Sequence, residues 1–403
     1  PFPVDEWFVS CTTSTNQYPI STLNMKEIDS LNFVKLDILG LDNIGLIYKT
    51  CELANIPFAT PDNIPSDDVQ VWKSIRDDTT LIFQWESDYA STLLKSLFSQ
   101  ETISKIKKAN SNFSYIDLFS MGNGAIRPAG DSYRENLSHG IYKDNGCKPL
   151  NDFLAPTLGY LVYQEQVIEF LHKFCGYTMG EADVVRRAFS KKTGTEKHIP
   201  EIEKGFCETM LKDYNMPIEQ SSKIVKDFLQ VIEDASNYLF SKNHSDPYSW
   251  IGYICGYLRY YYPLEFLTSA LNIWEQDQAK SADIIAYAKQ RGIKVEGIQF
   301  RHSHSQYTFD KESNTIYKGV ASIKYLNGQV ADELLTLADN HYDSFAELLR
   351  DISELKINSK QLAILINLGF FKEFGDTNKL LKINSIFGVL YNKSADTLRG
   401  AHT

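Results

Sequence analysis

This 403-residue sequence is most informative at first through what it lacks. Its six cysteines, Cys11, Cys51, Cys147, Cys175, Cys207 and Cys255, contain no C-x-x-C pair. That pattern argues against a cysteine zinc site or a disulfide framework and fits a reduced, cytoplasmic setting. No apolar run approaches the length of a membrane span, and the start, Pro1-Phe2-Pro3-Val4, has no basic segment leading into an apolar one, so neither a spanning helix nor a secretory leader is expected. There is no low-complexity tract, no repeat of useful period, and no D-x-D pair of aspartates. The missing initiator Met leads to the expectation that the chain is cut from something longer. Net charge is also wanting in the direction a nucleic-acid binder would favour: the formal value is −10. Cations concentrated in one cleft still steer a polyanion whatever the sum, so this excludes little. Two or three domains are expected at this length.

What is present centres on residues 159–192. From Gln164, the apolar residues Val167, Phe170, Leu171 and Phe174 recur at helical spacing, and Gly176 can end that helix. A second helix is predicted to start near Met179-Gly180, burying Ala182, Val185 and Phe189 while Arg186, Arg187, Lys191 and Lys192 project from its later turns. With Lys197 these make five cations, among which Glu196 is the sole acid. A solvated basic face near a helix C-terminus accounts for the spacing, and so does a phosphate site.

Elsewhere, Leu31 to Leu41 reads as a buried strand with Phe33, Lys35, Asp37 and Leu39 on one side, followed by a helix over about 43–53. A Lys and an Asp two apart in an apolar strand need either each other or a site. Pro61 to Asp68 reads as a loop, with Ser66 as the cap of a helix whose buried stripe is Val69, Trp72 and Ile75. Pro128 and Gly130 mark a turn after Arg127, and residues 131–151 read as a polar surface connection. Helices are predicted at about 199–214 and 219–235, then an aromatic-rich one over 247–262, stopped by Pro263, with Trp250, Tyr253, Tyr257 and Tyr261 read as core. His302 and His304 fall where the pattern reads as loop then strand. A strand near 315–324 precedes a helix at 329–338 and two or three short helices over 345–371.

Several of these stretches, in this order, resemble the bacterial replicative DNA polymerase III alpha subunit of family C, in its DnaE-like branch. They are Lys35-Leu36-Asp37-Ile38-Leu39-Gly40-Leu41, Phe83-Gln84-Trp85-Glu86-Ser87, Arg127-Pro128, Tyr163-Gln164-Glu165-Gln166-Val167, Gly180-Glu181-Ala182-Asp183, Arg186-Arg187-Ala188 and Lys242-Asn243-His244-Ser245. The resemblance runs from about residue 15 to about 372. It implies a mainly α fold with a small α+β palm portion: the C-terminal palm over 1–60, helical fingers over 61–300 and a helix-hairpin-helix region over 301–403. The strand and turn at Leu81 to Ser87 would carry Gln84, either as a contact to a base or sugar edge or as a satisfied core amide.

The resemblance further implies a DNA-directed DNA polymerase using two Mg²⁺ ions, with Asp37 as catalytic metal ligand and Lys35 beside the phosphates. Arg127, Arg186, Arg187, Lys191, Lys192, Lys242 and His244 would hold the incoming triphosphate. Primer–template DNA and deoxynucleotides would be partners, with a sliding clamp and a proofreading exonuclease beyond them. Because two ions need several oxygen ligands, the missing D-x-D predicts that the other carboxylates come from an upstream palm, thumb and PHP segment. The same absence supports another class, a non-catalytic DNA-binding or assembly module that is a degenerate or split polymerase half. In the hairpin region, Tyr325 and Asn327 stand where the family's turns carry glycine, with Gly328 alone nearby.

Overall fold

A computed structural model describes residues 9–13, 16–33, 40–110, 112–235, 239–391 and 393. The expected Lys35–Asp37 strand therefore lies outside the described residues. The chain divides into two compact units, residues 1–42 and 43–403. In the first, β1 (Ser10–Thr13) and β2 (Asn16–Ser21) pair antiparallel with an irregularity between Cys11 and Thr13. A short helix, Met25–Ser30, follows under an Asn24–Glu27 capping box.

The second unit is mainly helical and holds three apolar clusters. One is built on helices Asp42–Ala54, Val69–Asp77, Asp88–Leu97, Tyr115–Ala125, Lys242–Tyr261 and Pro263–Ile273. Its aromatic centre is Trp72, whose ring lies 5.1 Å from Phe98, 5.3 Å from Phe119 and 4.5 Å from Tyr253. Arg259 is fully buried there. Its guanidinium donates to the carbonyls of Ser74, Asp78 and Thr80 and stacks on Tyr287, so a charge that burial alone would expel ties two helices and a loop together.

A second cluster packs Gln164–Cys175, Met179–Lys191, Ile199–Tyr214 and Ile218–Ala235 around Phe170, Phe174 and Phe206. The third covers 298–380. It sits beside a small sheet in which β5 (Thr315–Tyr317) lies between β3 (Lys294–Glu296), parallel to it, and β4 (Thr308–Asp310), antiparallel.

Five local expectations need correction. Residues 81–87 form turns rather than a strand, because Leu81 and Gln84 adopt φ of 62° and 72° and break the extended backbone. Asp68, not Ser66, caps the next helix, accepting from the amides of Gln70 and Val71. Ser66 instead offers its carbonyl to the Trp72 indole. Val69 is 57% exposed, and Val71 takes its place in the buried stripe. The 131–151 connection contains two short helices, Arg134–Ser138 and Lys148–Leu154, seated by buried Tyr133, Leu137 and Leu150. The aromatic-rich helix begins five residues earlier than its periodicity suggests. Pro263 does end it, but by opening the next helix at its first turn, where a missing amide costs nothing.

Candidate functional site

The helix Gln164–Cys175 begins where the preceding residues make a parallel bridge, Tyr163 with Phe240. The Gln164 amide donates to the Phe240 carbonyl at 3.0 Å, and the Phe240 amide to that of Val162 at 3.3 Å. This bridge joins the Tyr-Gln-Glu-Gln motif to the Ser-Lys-Asn-His-Ser motif across some 75 residues, and every side chain of the first motif has a task in it.

The Tyr163 hydroxyl donates to Ser120 Oγ at 2.9 Å, and burial pushes its phenol well above the ordinary tyrosine range. Gln164 donates through Nε2 to the Leu239 carbonyl and accepts through Oε1 from Arg186 at 3.2 Å. Glu165 accepts from Ser241 Oγ and from the Lys242 amide, each at 2.8 Å. Buried Gln166 accepts from the amides of Val162 and Tyr163 and donates to Thr157 Oγ1, so its amide is satisfied internally.

A third element reaches the same place. The Tyr115–Ala125 helix passes so close that a Cβ on Gly124 would lie 2.7 Å from Val162 Cγ1. Ser120 Oγ lies 2.9 Å from Ser245 Oγ and 2.7 Å from Asp246 Oδ1. Asp117, on the same helix, is held above the usual carboxylate range by desolvation, with Asp246 adding to the rise and Lys242 opposing it.

Around this junction stand several of the expected cations. Arg186 is 15% exposed and is gripped by Asp183 at 2.8 and 3.0 Å. Arg187, 64% exposed, takes the other Asp183 oxygen at 2.7 Å. The hydrogen bond and charge of Arg186, then those of Arg187, hold the Asp183 carboxyl below its ordinary range despite partial desolvation. Lys242 faces Asp246 at 4.0 Å. The Arg127 guanidinium lies 4.8 Å over the Phe240 ring and 3.5 Å from Gln84 Oε1. Exposed His244 sits 6.3 Å from the Tyr248 ring. Lys191 and Lys192 lie at the far end of their helix, Lys192 as its left-handed cap with φ 50°. Arg134 is occupied differently: it binds the carbonyls of Ala125 and Arg127 and the carboxylate of Asp131, stapling the turn.

Among the described residues no group of three or more His, Cys, Asp or Glu side chains could hold a metal ion. Asp37 lies outside those residues, and the described part holds no ligand set that fits a pair of Mg²⁺ ions. His302 stacks flat on Tyr317 at 4.6 Å.

Reading by motif included Asp183 without giving it a role and missed Asp117, Ser120 and Asp246. A signal existed: Asp117, Ser120 and Asn123 fall at i, i+3, i+6 on a helix otherwise buried, a polar stripe that must face something polar.

Residues 131–214 match the description "Bacterial DNA polymerase III alpha subunit finger domain", and residues 292–381 match "Helix-hairpin-helix motif". In these stretches and along most of its length the chain is similar to DNA polymerase III alpha subunits. Proteins named DNA polymerase III subunit alpha align along most of it. That of Thermus aquaticus is 26% identical over 90% of this chain and 29% of its own length. That of Ureaplasma parvum serovar 3 is 26% identical over 92% and 37%, and that of Staphylococcus aureus strain COL 29% identical over 89% and 32%. The chain thus spans about a third of the length of these curated relatives. The finger match covers the second apolar cluster's first helices and the Arg186 helix, and the hairpin match covers the third cluster.

Proposed function

We propose that this chain is the finger-bearing part of a replicative, family C DNA polymerase that adds deoxynucleotides to a primer 3′-hydroxyl under template direction. The observation that carries this is the convergence of the Tyr163–Gln166 turn, the Ser241–Asp246 turn and Arg186 on one junction. Gln164 and Glu165 fix Arg186 and the Lys242 backbone in place before any ligand arrives, and such preorganised cations suit a triphosphate whose charge shifts during transfer. Asp183 holds Arg186 and Arg187 meanwhile; an arriving phosphate exchanges with it, which favours ligands of higher charge.

In this reading Arg127, Arg186, Arg187, Lys191, Lys192, Lys242 and His244 bind the triphosphate, while Asp37 and Lys35 work at the reacting phosphate. The palm portion occupies 1–60, the fingers 61–300 and the hairpin region 301–403. The partners are primer–template DNA, deoxynucleotides, a clamp and an exonuclease, in the cytoplasm. Mg²⁺ would supply charge neutralisation at the phosphates, with ligands beyond Asp37 coming from an upstream palm segment.

The test is primer extension by the chain alone, by the chain joined to its native upstream polypeptide, and by that longer form carrying Asp37→Asn. Extension by the longer form alone, abolished by Asp37→Asn, supports the proposal. Extension by the chain alone contradicts the need for other carboxylates. The missing D-x-D favours a second reading, a non-catalytic DNA-binding or assembly module; silence from both unmutated forms selects it.

A further inference from the structure

The hairpin region contains a residue that neither the core nor the turn explains. Between the short 3₁₀ turn Val320–Ser322 and helix Gly328–Leu335, Tyr325 adopts φ 75°, a left-handed conformation that glycine enters freely and a tyrosine does not. The next positions are ordinary: Leu326 is buried, and Asn327 caps the helix by accepting from the Val330 amide. Packing does not retain the aromatic ring, because Tyr325 is 57% exposed. What surrounds it is cationic. Lys360 Nζ stands 3.5 Å from the ring centroid and Lys324 Nζ 5.3 Å, and both lysines are exposed. Lys360 comes from the next hairpin, on helix Ser359–Asn367, whose Gln361 also donates to the Tyr325 carbonyl at 3.4 Å. The ring is therefore fixed from two elements and held outward at the tip of a turn, against backbone preference.

A largely exposed ring with ammonium groups over and near it can bind an unpaired nucleobase and its flanking phosphates: the ring stacks on the base once Lys360 leaves its face, and the lysines neutralise the strand. A glycine turn, by contrast, offers only backbone amides, which serve phosphate and ignore bases. We propose that Tyr325, with Lys324 and Lys360, is a stacking site for single-stranded DNA, giving this hairpin a preference for unpaired strand over duplex. Lys360 moves from the ring to the phosphate as the base arrives, since the two compete for one face. The inference rests on the reading of this chain as DNA-facing, but it is tested without polymerisation.

The experiment is fluorescence anisotropy of labelled dT20 and of a 20-base-pair duplex, titrated with the full chain and with Tyr325→Gly, Tyr325→Phe and the double variant Lys324→Ala, Lys360→Ala. Loss of one stacked base weakens dT20 binding by about tenfold. Tyr325→Gly is expected to show that loss with duplex binding unchanged, and Tyr325→Phe to bind dT20 like wild type. The lysine variant is expected to lose dT20 affinity with a shallower salt dependence. Because glycine relieves the backbone, a folding defect does not obscure the result, and an unchanged melting profile checks this. Equal dT20 affinity for wild type and Tyr325→Gly overturns the proposal. So does the absence of dT20 binding by wild type, whereas the polymerase reading is judged separately by primer extension.

Discussion

The junction at Tyr163–Gln166 and the hairpin at Tyr325 both fall in segments matched to known families, yet they keep their geometry by different means. At the junction the side chains make the structure: Gln166 satisfies two backbone amides, Glu165 a hydroxyl and an amide, and Ser120 gathers Tyr163, Ser245 and Asp246. At the hairpin the backbone turn persists although the residue at its left-handed position is a tyrosine. Buried polar networks tolerate little exchange, because a lost partner orphans the others. An exposed turn tolerates strain and leaves its side chain free to acquire a task.

This contrast can be broken most forcefully at Gln166. Gln166→Leu leaves the Val162 and Tyr163 amides and Thr157 Oγ1 without their buried partner, and a loss of roughly 3 kcal/mol is expected in urea denaturation of the full chain. A loss below about 1 kcal/mol would mean that the junction is not held by this amide. Ser120→Ala is expected to cost roughly 1–2 kcal/mol. In that background Tyr163→Phe should cost much less than it does alone, a coupling a double-mutant cycle reads directly; additive losses would separate the two residues.

Asp183 gives a smaller effect with a defined pH signature. Its folded-state carboxyl is depressed by Arg186 first, so its contribution is present above the unfolded value near 4 and disappears as pH falls through the lower folded value. The stability difference between wild type and Asp183→Asn should accordingly be constant near neutrality and shrink below about pH 4. A difference that grows on acidification would reverse the assignment. At the hairpin the smallest change is expected: Tyr325→Gly relieves strain but frees the unfolded chain, leaving stability within about 1 kcal/mol of wild type.

The same contrast explains how much was legible in the sequence. The start of helix Gln164–Cys175, its stop at Gly176 and the start of Met179–Lys191 were readable from apolar spacing and glycine, while the Thr178–Glu181 capping box that fixes the second start went unread. The positions of Arg186 and Lys242 near one junction were legible only through family resemblance. Ser120 and Ser245 are 125 residues apart, and no local pattern announces that they touch. The strand and turn expected over Leu81 to Ser87 came from the family resemblance, whereas the backbone turns at Leu81 and Gln84 and the rings of Phe83 and Trp85 pack on Tyr248 and Phe119. The staple made by Arg134 was not legible, since two of its three partners are backbone carbonyls.

The central claim is that the junction preorganises cations for a triphosphate. Its most direct test is equilibrium binding of a fluorescent dATP analogue in magnesium buffer to the full chain, to Arg186→Ala and Lys242→Ala, and to Lys289→Ala as an exposed control. Each junction variant is predicted to bind about tenfold or more weakly, the effect of losing one charge-assisted contact, with Lys289→Ala unchanged. Equal affinity across all four proteins would contradict the account.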